Sequence, residues 1–143
     1  MLAAIFSALV GVFALLLGMI FIPAVRESLK GPPFLIFLFT FFLLGAGLLF
    51  LAVREKPGKK LRKFLILTGA SAVGFFVSAV LHNFLYAVEI VTKDFVVLSK
   101  LAGILHVVFF LVAVPICPLA FLVGVVGSLV LFIKKEQGGL KKK

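Results

Sequence analysis

Three ionisable side chains lie in otherwise apolar stretches of this 143-residue chain: His82, Glu89 and His106. Imidazole changes charge near neutral pH, and its neutral form ligates transition metals, so with a carboxylate it can relay protons or hold an ion. Ser71, Ser78, His82, Tyr86 and Glu89 follow one another at intervals of seven, four, four and three, which puts them on one stripe of a helix. Asn83 borders the stripe. If His106 belongs to the next helix of an antiparallel pair turning near residue 96, it stands level with Tyr86. It is then about one turn, 5.4 Å of rise, from His82. The expected site is a single polar cluster of His82, Asn83, Tyr86, Glu89 and His106.

Two histidines and a glutamate are suitable donors for a divalent metal, and two histidines on neighbouring helices could hold a haem b between them. The spacing matches no metal signature, however, and there is no second histidine pair. The expectation is therefore no cofactor, with a metal on His82, His106 and Glu89, or haem b, as the weaker alternatives. The plainer role is structural: hydrogen bonds across two helices fix their register, and Glu89 can pair with Lys93, its i+4 neighbour. A single cysteine, Cys117, excludes an internal disulfide. It stands between Pro115 and Pro118, which remove two backbone donors and should kink their helix. No nucleophile–base–acid set and no glycine-rich phosphate loop is present, so no enzyme is expected.

The elements that carry these residues follow from composition. The chain is 64% hydrophobic and only 14% charged, too little polar surface for a globule in water. It runs without a charged residue or histidine over 1–25, 31–53, 64–81 and 107–133, and about 20 apolar residues suffice to span a bilayer as a helix. Strand-like alternation is absent, which argues against a membrane barrel. The reading is an all-α membrane protein of one domain with four transmembrane helices, at about 2–22, 34–53, 64–91 and 101–133. Short connections make them two antiparallel hairpins.

Charge orients them. Arg54, Lys56, Lys59, Lys60, Arg62 and Lys63 lie in the 54–63 loop, and Lys134, Lys135, Lys141, Lys142 and Lys143 in the 134–143 tail. Only Arg26, Lys30, Lys93 and Lys100 lie on the other side. Positive loops stay in the cytoplasm, so both termini are expected there, in the plasma (inner) membrane of a prokaryote. The net charge of +10 is thus topological and does not imply nucleic-acid binding. The expected partners are the bilayer itself, anionic headgroups at Arg54, Lys56, Lys59, Lys60, Arg62 and Lys63, and either further copies or a larger membrane complex.

Helices in lipid associate through small residues and polar contacts. Ala70, Gly74 and Ser78 on the third span and Ala120, Gly124 and Ser128 on the fourth form two grooves, overlapping in depth if paired residue numbers sum to about 192. Gly11, Gly18, Gly45 and Gly47 are expected to serve the first two spans likewise. Phenylalanines point in nearly every direction around the second span, so most of those rings should meet lipid. The expected function is that of a non-enzymatic structural or accessory subunit. The alternatives are a small oligomeric transporter or channel using the polar cluster, and a metal- or haem-binding redox subunit.

Overall fold

A computed structural model describes residues 1–28 and 31–140, which form six α-helices; no strand occurs among the described residues. They are α1 (Leu2–Phe21), α2 (Pro23–Ser28), α3 (Pro32–Arg54), α4 (Lys59–Val91), α5 (Val96–Leu111) and α6 (Cys117–Leu140), with a π-helical turn over Val112–Ile116 joining the last two into one rod. Four segments are long and apolar enough to cross a membrane: Leu2–Met19, Phe34–Arg54, Lys59–Val91 and Val96–Lys134.

Local chemistry sets the ends. Gly31 precedes α3 at φ 74°, a left-handed conformation that glycine adopts without cost. Pro32 and Pro33 then occupy the first turn, where a missing N–H is not needed. Lys56 takes φ 45° and turns the chain ahead of Pro57. The helix expected from residue 64 starts at Lys59 instead, because lysine and arginine are good helix formers and a run of charge does not by itself end a helix. The helix expected from 101 starts at Val96, after a connection of only four residues, Thr92 to Phe95. Pro115 falls inside the π turn and Pro118 is the second residue of α6, so the rod accommodates both prolines by one wider turn.

Helix α4 is the centre of the molecule: α3, α5 and α6 all pack on it, and α1 packs on α3. Four rings tie α1, α3, α4 and α6 together. Phe121 lies 4.3 Å from Phe13 and 5.4 Å from Phe41, and Phe75 meets Phe41 edge-on at 6.3 Å. Phe34, Phe39 and Phe50 do face outward, but Phe41 is buried in this knot. Beside it a cavity of about 60 Å³ touches Ser71, Cys117 and Pro118.

Backbones approach closely at glycines. A Cβ on Gly45 would come within 2.7 Å of the Ala72 Cβ, and one on Gly69 within 2.8 Å of the Gly45 carbonyl oxygen. Gly11 and Gly47 face open space, so only Gly45 of that set sits in a tight helix crossing. Between α4 and α6, Gly124 rests on the Thr68 hydroxyl and the α4 main chain, Gly127 on the Phe64 ring, and Gly74 on the Cys117 sulfur. Ser78 and Ser128 are buried and Ala120 is half-buried, but Ala70 is exposed; Phe64 and Thr68 hold the contact with α6 in its place. A four-residue repeat drifts about 40° per step on a helix turning 100° per residue. Over two steps Ala70 thus lies about 80° from Ser78, and the side of α4 that α6 takes leaves Ala70 exposed.

Candidate functional site

The polar stripe of α4 meets a seam of Ser99, Gly103 and His106 on α5. His82 Nδ1 lies 2.9 Å from the His106 main-chain oxygen, and since a carbonyl only accepts, Nδ1 carries the proton and donates. The His106 Nδ1 lies 2.8 Å from Glu89 Oε2. Both of those atoms are buried and neither has a hydrogen-bond partner among the described residues, so the close approach of imidazole and carboxylate is the polar contact each one has. The Ser99 hydroxyl donates to the Glu89 main-chain oxygen at 3.4 Å. Three contacts thus join two helices over about two turns.

The rings pack as well as bond. The His82 and His106 centroids are 5.4 Å apart, Phe110 lies against His82 at 5.4 Å, and Tyr86 meets His106 edge-on at 5.5 Å. Tyr86 is half exposed and forms the rim. Asn83 is not brought in: it is exposed, and its amide donates to Ala79 of its own helix at 2.8 Å. Glu89 turns to His106 and not to Lys93, because α5 crosses directly over it while Lys93 is exposed beyond the helix end.

Gly103 and Ser99 belong to the site although the polar residues alone did not point to them. A Cβ on Gly103 would lie 3.0 Å from Glu89 Oε1, so glycine leaves room for the carboxylate. Their signal was the spacing of Ser99, Gly103 and His106 by four and three, one small or polar face on an apolar helix. Gly103→Leu should push the carboxylate away from His106 and cost about 1 kcal/mol. Adding Glu89→Gln to it should cost little more, because both changes break the same contact. Full additivity in a double-mutant cycle of unfolding free energies would show that Gly103 does not position Glu89.

Among the described residues, no three His, Cys, Asp or Glu side chains converge as a metal-binding group. What the arrangement does chemically is to hold one imidazole–carboxylate pair and one imidazole–carbonyl bond at the contact of two helices.

The basic residues gather at the opposite end. Lys56, Lys59, Lys60 and Lys63 are exposed, the Arg54 guanidinium lies 6.0 Å over the Phe50 ring, and Arg62 Nε is buried without a hydrogen-bond partner. Lys59 and Lys60 border an open groove of about 460 Å³ shared with Leu61 and Leu131. No acidic residue or capping side chain offsets the positive end of α4. Lys30, Lys141, Lys142 and Lys143, expected on the two sides of the membrane, lie outside the described residues. Against known proteins this chain has no match, whether to a family, a curated relative or a solved structure.

Proposed function

We propose that this chain is a small integral membrane protein acting as a non-enzymatic structural or accessory subunit, in which His82, His106 and Glu89 clamp α5 to α4. Both termini lie on the cytoplasmic side of the plasma membrane, with the basic ends of α3 and α4 among anionic headgroups. One observation carries the reading: the ionisable groups end on one another and on the main chain of the facing helix instead of lining a path between the two ends. A clamp of this kind fixes register, the role such contacts fill when lipid offers helices no hydrophobic reason to associate.

Reconstitution tests it. Wild type and a His82→Ala/His106→Ala variant are placed in liposomes, and proton and cation flux are followed beside thermal stability and the absorption spectrum. The expected result is background flux for both, no Soret band, and a lower melting temperature for the variant. Flux in the wild type that disappears in a stable variant would overturn the reading in favour of a transporter whose proton site is the His106–Glu89 pair. A Soret band lost in the variant would make it a redox subunit.

A further inference from the structure

The two Nδ1 contacts of the clamp fix more than a register, because they also fix where each imidazole keeps its lone pair. His82 Nδ1 donates to the His106 main-chain oxygen at 2.9 Å, and a neutral ring that donates from Nδ1 accepts only at Nε2. His106 Nδ1 stands 2.8 Å from Glu89 Oε2, and an ionised carboxylate likewise only accepts, so the same tautomer follows there. Histidines at metal sites are oriented in this way: a carbonyl or carboxylate behind the ring selects the tautomer and raises the basicity of the opposite nitrogen. A hydrogen bond between two helices needs one imidazole at most. Here there are two, each backed by an acceptor, and the clamp leaves both Nε2 lone pairs unused.

The rings also stand at the separation needed to share an ion. A zinc–imidazole bond of about 2.0 Å, continued to the ring centre, puts a ligated centroid about 3.2 Å from the metal, so two ligands at a tetrahedral angle have centroids about 5.2 Å apart. The His82 and His106 centroids are 5.4 Å apart. The two nitrogens of an imidazole point in nearly opposite directions. With Nδ1 turned to Glu89, the His106 Nε2 is therefore turned back along α4 toward the depth of His82, about two turns before Glu89. Phe110 packs against the His82 ring and Tyr86 against the His106 ring, which limits how far either can swing. The His106 side chain keeps 18% of its exposure and Tyr86 at the rim is half exposed, so water and an ion can reach the pair. Glu89, by residue type a third ligand, is engaged with Nδ1 instead, in keeping with the absence of a convergent set of three among the described residues.

We propose that His82 and His106 bind one divalent transition-metal ion through their Nε2 atoms, with the His106 carbonyl and the Glu89 carboxylate as the acceptors that orient the two rings. Imidazole selects the class of ion: zinc, copper and nickel suit it, whereas magnesium and calcium require oxygen donors. The inference rests on the clamp reading above, since the same Nδ1 contacts that join α4 to α5 prepare the rings for the metal. A bound ion ties the two helices together once more, next to their four-residue connection. Permanent structural zinc takes four protein ligands. Two nitrogens completed by water make an exchangeable site instead, one that fills and empties with the metal concentration around it and so sets how firmly α5 is held.

The chain has only two histidines, so any imidazole signature must come from this pair. Full-length protein without a purification tag is titrated with zinc chloride in detergent, and its unfolding temperature is measured with zinc, with magnesium and with neither. One zinc ion per chain is expected, and a rise of several degrees that magnesium does not give. His82→Gln and His106→Gln should each remove that rise, and Cys117→Ala should keep it. Glu89→Gln leaves both Nε2 atoms in place and should weaken zinc binding about 10- to 100-fold; a carboxylate that only joins helices would leave the affinity unchanged. Because variants can fold poorly, the unmodified protein is also loaded with Cu2+, whose pulsed EPR spectrum should show two imidazoles on one ion. No zinc-dependent rise in the wild type, an equal rise with magnesium, binding that survives loss of either histidine, one ion shared by two chains, an unchanged affinity in Glu89→Gln or a copper signal from one imidazole would each overturn the proposal. Metal-free stabilities separate the two levels. A His82→Gln variant as stable as the wild type without zinc removes the clamp reading, whereas a destabilised variant beside a wild type indifferent to zinc removes only the metal site.

Discussion

Replacing Gly124 by leucine is expected to cost on the order of 3 kcal/mol, the largest loss from any single substitution considered for this protein. The position has no space for even one carbon. A Cβ there would collide with the Thr68 hydroxyl, and it would lie 2.8 Å from the Thr68 main-chain nitrogen and 3.1 Å from the Phe64 carbonyl oxygen. Side chains can rotate away, but two main-chain atoms move only if α4 and α6 separate along their length. That separation forfeits the dispersion contacts of two closely packed backbones. Gly124→Ala should cost about 2 kcal/mol for the same reason.

A neighbouring glycine supplies the control. The obstruction at Gly127 is the Phe64 ring, so Gly127→Ala should be largely rescued by Phe64→Ala. Gly124→Ala should be rescued little by Thr68→Ala, since the main chain remains in the way. Reversible unfolding in mixed micelles, run as two double-mutant cycles, measures both. An unchanged stability for Gly124→Leu would mean that the contact of α4 with α6 is looser than the structure has it.

The second large effect lies at the polar clamp. His106→Ala leaves the Glu89 carboxylate facing an apolar helix without its partner, and Glu89→Ala leaves a lone imidazole nitrogen. Breaking a fully buried pair costs several kcal/mol, but Glu89 and His106 retain 33% and 18% of their side-chain exposure. Water reaches the orphaned group in part, which brings the expected loss to about 1–2 kcal/mol. Glu89→Gln keeps an acceptor in place and should lose less than half of that. His82→Ala should act separately, because its bond goes to the His106 main chain and survives the loss of that side chain. Near-additivity of His82→Ala with Glu89→Ala is therefore expected, beside strong coupling of His106→Ala with Glu89→Ala. Equal coupling in both pairs would show one merged network instead of two contacts.

Much of this site could be read before folding was considered. The stripe of His82, Tyr86 and Glu89 follows from helical spacing alone. The level of His106 follows from the shortness of the outer connection, which leaves an antiparallel pair little freedom of register. Asn83 was misplaced because adjacent residues on a helix diverge by 100°, so a neighbour in sequence need not be a neighbour in the site. Ser99 and Gly103 were overlooked because a small residue announces nothing until the group it admits is known. The misplacement of Ala70 has a similar origin: spacing says which residues share a face, but not which face the next helix takes.

The sequence by itself determined what is set by local rules and solvent preference. Four long apolar segments, the basic run between the second and third, and the proline-bearing segment can all be found by reading along the chain, because each depends on a residue and its near neighbours. Only the tertiary structure decided which side of α4 meets α6, that Phe41 turns inward while Phe39 turns outward, and that Glu89 selects His106 over Lys93. In a chain this uniformly apolar, hydrophobicity cannot choose between helix faces, since nearly every face is apolar. The choice falls to shape, to the few places where a missing Cβ lets two backbones meet and to the few polar groups that need a partner, and shape exists only when both helices are present.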